Sequence, residues 1–149
     1  MTPHDQGLDR LVEDPSLLGL EQVSIVKREI PLYDPKFSTI TDIDALFELS
    51  NGGIAIAELK SGSSTRWLKA MRQLTIGSHY VQQRYGVTPA CFYVHGGPER
   101  FYVLRSDEGV GRFERVAKGQ HPGIERRINS QLPMFADRLP QSVLFYGGD

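Results

Sequence analysis

An α/β fold with a mixed central β-sheet flanked by helices on both faces is what this sequence predicts, on three observations. Apolar runs of strand length, rich in Val, Ile, Phe and Tyr, recur at 21–32, 40–49, 53–60, 89–95 and 100–105. Between the third and fourth runs, residues 63–85 carry apolar side chains at three- and four-residue spacing, the period of an amphipathic helix. The run 53–60 is apolar on both faces near its start, as expected of a strand covered on both sides.

Taken in order, Leu8, Leu11 and Val12 suggest a short helix ending near Asp14, because Pro15 lacks the N–H that would continue it. Val23, Ile25 and Val26 open a first strand, expected to stop at Pro31. The second and third strands, 40–49 and 53–60, are joined by Ser50-Asn51-Gly52-Gly53, a strong hairpin signal. Trp67, Met71, Leu74, Ser78 and Val81 form the stripe of the long helix, with caps expected at Ser63 to Thr65 and Gly86 as its stop. ACFYVH and RFYVLR are two further strands, and 124–132 is a second candidate helix before Pro133.

The 149 residues fit one domain, 1–149, with a core of about 21–105 and 106–149 as a C-terminal extension. Cys91 sits in an apolar run and reads as a buried thiol; a single cysteine excludes a disulfide framework and a four-thiolate iron–sulfur cluster. No apolar run approaches the roughly 20 residues of a bilayer span. The opening MTPHDQGLDR lacks the basic-then-apolar order of a signal peptide, so the expected location is cytoplasmic. The net charge of -1 hides a division: residues 1–50 hold ten acids and four bases, residues 51–149 eight acids and thirteen bases. An acidic region that attracts a cation, beside a basic surface that holds a polyanion, would produce this division, as would ordinary solvated faces.

The hairpin is where chemistry is expected. Asp42, Asp44, Glu58 and Lys60 stand in apolar surroundings, and a buried carboxylate costs several kcal/mol unless it is paired or binds a metal. Strand alternation assigns Ile43, Ala45, Phe47 and Leu49 to one face, and Asp42, Asp44 and Glu48 to the other. A two-residue turn would set Asp44 and Glu58 on opposite faces, whereas a three-residue loop sets Asp44 across from Glu58 or Lys60. The paired glycines favour the odd-length loop, with a residue in the left-handed region or a bulge.

The string Asp44-(x13)-Glu58-Leu59-Lys60, set in a helix, three strands, helix, strand order, resembles the PD-(D/E)xK, restriction-endonuclease-like nuclease superfamily over about residues 21–94. The resemblance implies an αβββαβ core and a metal-dependent nuclease, with Mg2+ or Mn2+ as cofactor and DNA ahead of RNA as substrate. It implies Asp44, Glu58 and the Leu59 main-chain carbonyl as metal ligands, Asp42 or Glu29 as a further one, and Lys60 and Gln73 as catalytic residues. Glu13 is a second candidate to complete the site. Phosphodiester hydrolysis requires hard cations on oxygen ligands, which fits these residue types.

The chain departs from the pattern in two places. Ile43 stands where a proline commonly precedes the first aspartate, which leaves Asp42 as a rival to Asp44. Gly77 stands where the exonuclease branch commonly carries tyrosine. Arg66, Lys69, Arg72, Arg126 and Arg127 are candidate contacts to nucleic-acid phosphates, and cutting both strands of a duplex implies a homodimer or a larger nucleic-acid-processing complex, with no membrane partner. His79, His95 and His121 lack metal-ligand spacing and His4 falls in an expected frayed end, so no zinc site is expected. The competing readings are a non-catalytic nuclease-fold module that binds nucleic acid or assembles a complex, and a protein-interaction domain. In both, the lysine is a structural partner of the acids.

Overall fold

Helix α1, Pro3–Glu13, begins at a capping box rather than in a frayed end. The Thr2 hydroxyl accepts from the Asp5 amide at 3.1 Å, Asp5 Oδ2 accepts from the Thr2 amide at 3.3 Å, and Pro3 supplies the first helical position. A single 3-10 turn, Pro15–Leu18, follows. The strands are β1, Val23–Asp34, β2, Thr39–Leu49, and β3, Ile54–Lys60. After helix α2, Trp67–Tyr85, come β4, Ala90–Gly96, and β5, Phe101–Ser106. The two-residue β6, Glu114–Arg115, helix α3, Pro122–Phe135, and the two-residue β7, Leu144–Phe145, complete the order. This computed structural model describes residues 2–34, 38–61, 67–96, 100–116, 122–135 and 144–145.

Among the described residues, seven strands form one mixed sheet in the order β6-β5-β4-β3-β2-β1-β7, antiparallel except where β3 and β4 run parallel across the α2 connection. Residues beyond 106 supply both outermost strands, so they complete the sheet rather than append to it. On one face, Leu8 and Leu11 of α1 pack with Leu18, Ala45, Phe47, Ala57 and Leu59. On the other, the α2 stripe Trp67, Met71, Leu74 and Val81 packs with Leu46, Ile54, Ile56 and Tyr93. The expected stripe is therefore the buried one, and Ser78 is buried with it. The expected caps at Ser63 to Thr65 lie outside the described residues.

Two element boundaries differ from expectation. Strand β1 passes through Pro31, which sits opposite Asp42, and continues to Asp34. A proline fits a strand where its missing donor is not needed, and on the outer flank of β1 the only described partner, β7, pairs at Leu32 and Tyr33. Helix α3 likewise runs past Pro133, which falls in its final turn, where a missing donor costs the helix one hydrogen bond.

The hairpin has the odd register. Ala45 faces Ala57 and Glu48 faces Ile54, and the Leu49 amide donates to Gly53 O at 2.9 Å, which leaves Ser50, Asn51 and Gly52 as the loop. Gly52 takes φ 89°, the left-handed conformation such a loop needs, and Asn51 Oδ1 accepts from the Gly53 amide at 2.8 Å. Continued by one pair, this register sets Asp44 across from Glu58.

Alternation along β2 nevertheless breaks at Asp44. Ile43 belongs to the α2-side core with Leu46, whereas Ala45 and Phe47 belong to the α1-side core. On a regular strand Ile43 and Ala45 would share a face, as the sequence pattern predicts. The neighbouring strand is irregular at the same level: Glu29 takes φ 54°, and the β1–β2 ladder keeps its register, with Arg28 opposite Ala45 and Ile30 opposite Ile43, but omits the Glu29–Asp44 pair between them. The β2–β3 ladder ends there too, at Ala45 and Ala57. Asp44 therefore lies at a local irregularity, where its backbone is released from the ladder.

Candidate metal centre

Asp44 and Glu58 are both buried, at 4% and 1% exposure. Released from the ladder, the Asp44 amide donates to Glu58 Oε2 at 3.3 Å, and the Leu59 amide donates to Asp44 Oδ2 at 2.8 Å. Each carboxylate thus uses one oxygen to hold the other's strand. Glu58 Oε1 is buried and has no hydrogen-bond partner, an arrangement costly enough to require an explanation. Asp42, half-buried, completes a group of three whose ligand oxygens lie within 4.8 Å of one another, a cluster that could hold a metal ion. The donor set is of the kind hard divalent cations take: all oxygen, clustered, with a buried acceptor lacking a partner.

The electrostatics agree with that fit. Burial pushes the Glu58 carboxyl well above the usual range, and the neighbouring Asp44 charge pushes it further. Burial also acts upward on Asp44, but hydrogen bonds from His4, Glu58 and the Leu59 amide outweigh it and hold Asp44 below its usual range. Burial, then the charges of Asp44 and Glu29, raises Asp42. A divalent cation bound at such a cluster would favour the ionised carboxylates and act against the upward shifts of Glu58 and Asp42.

Lys60 is half-buried, follows Leu59 on β3, and lies opposite His95 in the parallel ladder. Its charge acts on Glu58, Asp42 and His4, yet among the described residues no carboxylate lies within ion-pair distance of it.

Gln73 of α2 is 8% exposed and donates from Nε2 to Thr41 Oγ1 of β2 at 3.1 Å, while its Oε1 is buried without a partner. It lines a pocket of about 590 Å³ together with Asp42, Lys69 and Arg72. Glu29 lines the same pocket, but its carboxylate is 55% exposed, lies 3.6 Å from Arg28 and does not join the three-acid group. Between the two candidates for the further ligand, Asp42 is therefore the one grouped with Asp44 and Glu58. Glu13 is exposed at the end of α1. Arg126 and Arg127 are exposed on α3, and Arg66 lies outside the described residues.

One residue at the site escaped the sequence reading. His4 Nε2 lies 3.2 Å from Asp44 Oδ2, and that hydrogen bond raises the imidazole pKa above its ordinary value. The signal was present in Thr2-Pro3-His4-Asp5, where a capping box starts a helix and gives His4 a fixed place in its first turn. Gly7 completes the placement, since a Cβ there would stand 2.8 Å from Leu59 Cδ2, so α1 crosses β3 closely enough for His4 to reach Asp44.

No protein-family model and no curated protein matches this chain. Among solved structures it is similar to that of the protein SSO0001, at 16% sequence identity and a TM-score of 0.35, over 78% of this chain and 52% of the other. The chain spans about half the length of that protein, and a likeness of this depth carries no argument about function. Among the described residues no helix is long and apolar enough to cross a membrane.

Proposed function

We propose that this chain is a metal-dependent nuclease that hydrolyses phosphodiester bonds, with DNA as its first substrate, acting at Asp44, Glu58 and Lys60. The observation that carries the reading is the Asp44–Glu58 pair. Two buried carboxylates each spend one oxygen on the other's backbone, and the partnerless Glu58 Oε1 stands within a cluster that includes Asp42.

Asp44, Glu58 and Asp42 would hold Mg2+ or Mn2+, with the Leu59 carbonyl as the main-chain ligand. When bound, the metal supplies Lewis-acid stabilisation of the charge that gathers on the phosphate and lowers the pKa of a bound water. Lys60, unpaired with any described carboxylate, adds positive charge for the same phosphate oxygens. Lys69 and Arg72, beside the acids in the pocket, attract the phosphodiester backbone that a bare acidic cluster would repel. A homodimer would supply the second site needed to cut both strands of a duplex.

The test is cleavage of single-stranded, duplex and branched DNA, and of RNA, with Mg2+ and with Mn2+, comparing wild type with Glu58→Ala and Lys60→Ala. Metal-dependent cleavage lost in both variants supports the proposal. Nucleic-acid binding without cleavage or metal uptake supports the non-catalytic module instead.

A further inference from the structure

The pocket between the β1–β2 edge and α2 has two walls of different chemistry. One is apolar, built from Pro31, Ile40 and Ile76, with Ile40 59% exposed although isoleucine is ordinarily buried. The other is polar, with Lys69 and Arg72 facing the same space as the Glu29 and Asp42 carboxylates, and it includes Gln73, a polar side chain more than nine-tenths buried whose Oε1 has no partner. An exposed apolar wall fits the face of a base or sugar, the cations fit a phosphate, and the amide oxygen accepts from a donor such as a base N–H. Every nucleobase offers such donors on its Watson–Crick edge, but in a duplex they are already used by the partner base. The pocket volume, about 590 Å³, lies in the range that accepts a ligand of nucleotide size and cannot admit a double helix.

We propose that this pocket receives one unpaired nucleotide next to the metal centre, its base against Ile40 and its edge on Gln73 Oε1, so that the chain selects single strands, flaps or frayed ends over continuous duplex. The inference rests on the nuclease reading for its biological meaning, but the binding it describes is measurable without catalysis.

The experiment is fluorescence anisotropy without divalent metal, using a labelled 12-nucleotide single strand of DNA, its RNA counterpart, the blunt DNA duplex and the duplex with a single-stranded 3′ tail. Wild type is expected to bind the single strand and the tailed duplex at least about 10-fold more tightly than the blunt duplex. Gln73→Leu, close in size but lacking the acceptor, should weaken single-strand binding by about 10-fold and leave blunt-duplex binding within about 2-fold. Ile40→Ser, at an exposed position that does not support the core, should weaken single-strand binding by about 3- to 10-fold, which keeps the test decisive if Gln73→Leu fails to fold by circular dichroism. Lys69→Ala should weaken every nucleic acid alike.

Equal affinity for single strand and blunt duplex, or unchanged single-strand binding in Ile40→Ser, overturns the proposal. So does competition by a deoxynucleoside monophosphate at concentrations comparable to the oligonucleotide, which would make this a free-nucleotide site. Metal-dependent cleavage without single-strand preference would remove the pocket inference and leave the nuclease standing. Gln73-dependent single-strand binding without cleavage would do the reverse.

Discussion

The Asp44 amide donates to the Glu58 carboxylate while the amide next to Glu58, that of Leu59, donates to the Asp44 carboxylate, so the two acids are locked to each other's strands. The lock orients one oxygen of each and leaves Glu58 Oε1 without a partner. If that oxygen serves a cation, removing its charge should remove binding. Calorimetric titration with Mn2+ should show uptake by wild type and at least about 100-fold weaker uptake by Glu58→Gln and Asp44→Asn. Mn2+ at about 100 times its Kd should stabilise wild type by about 2.7 kcal/mol in thermal melts. Equal Mn2+ affinity in Glu58→Gln would sink the metal centre.

The same pair sets a pH dependence in metal-free protein. Burial and the neighbouring Asp44 charge raise Glu58 above its ordinary value of 4.5, so between that pH and its raised value the folded chain binds more protons there than the unfolded chain. Its contribution to stability is complete below pH 4.5 and is lost as pH rises through the raised value. Asp44, lowered from 3.8, works in the opposite sense: its contribution is present above that pH and is lost as pH falls through its lowered value. Melting temperature without metal should therefore fall as pH rises above 4.5 toward neutrality, and Glu58→Gln should flatten that fall. Saturating Mn2+ should counter it, because the metal takes the ionised carboxylates. A wild-type profile identical to that of Glu58→Gln would contradict the assignment.

His4 separates stability from metal affinity. Helix α1 is held by Leu8 and Leu11, each worth about 1.5–3 kcal/mol when buried, against about 1 kcal/mol for one hydrogen bond. Apolar burial wins, so His4→Ala should leave the helix docked and cost no more than about 1 kcal/mol in urea denaturation. Because His4 and the Leu59 amide together hold Asp44 Oδ2, the variant should nevertheless bind Mn2+ about 10-fold more weakly. His4→Gln, which keeps a donor, should recover part of that loss. Unchanged Mn2+ affinity in His4→Ala would make the contact incidental.

Two glycines bring the helices onto the site from opposite faces. A Cβ on Gly77 would stand 2.9 Å from Ile56 Cδ1 and 3.1 Å from Ile43 Cγ1, and one on Gly7 would stand 2.8 Å from Leu59 Cδ2. Overpacking of this kind costs about 1–3 kcal/mol, offset by roughly 1 kcal/mol of helix propensity gained from alanine. Gly77→Ala meets two isoleucines, one at its branched stem, whereas Gly7→Ala meets chiefly the end of one leucine. In urea denaturation Gly77→Ala should therefore be the more destabilising. The reverse order would show that the α1 contact is the tighter one. The glycine that departs from the exonuclease pattern thus has a packing reason of its own.

What the sequence determined by itself is local. Ser50-Asn51-Gly52-Gly53 specifies its loop because glycine alone takes the left-handed position without strain, and the loop sets the register that faces Asp44 toward Glu58. The α2 stripe and the buried character of the hairpin follow from helical and strand periods in the same way. Tertiary structure decided the rest. The break at Asp44 needs Glu29, fifteen positions away, in a conformation that no residue pattern announces. The passage of β1 through Pro31 depends on how far a distant strand extends along its outer flank. His4 reaches Asp44, forty positions on, only because Gly7 lets one helix lie against β3. Turn chemistry acts between neighbours in the chain and can be read there, whereas these contacts form between segments that meet only when the apolar faces of the sheet are buried.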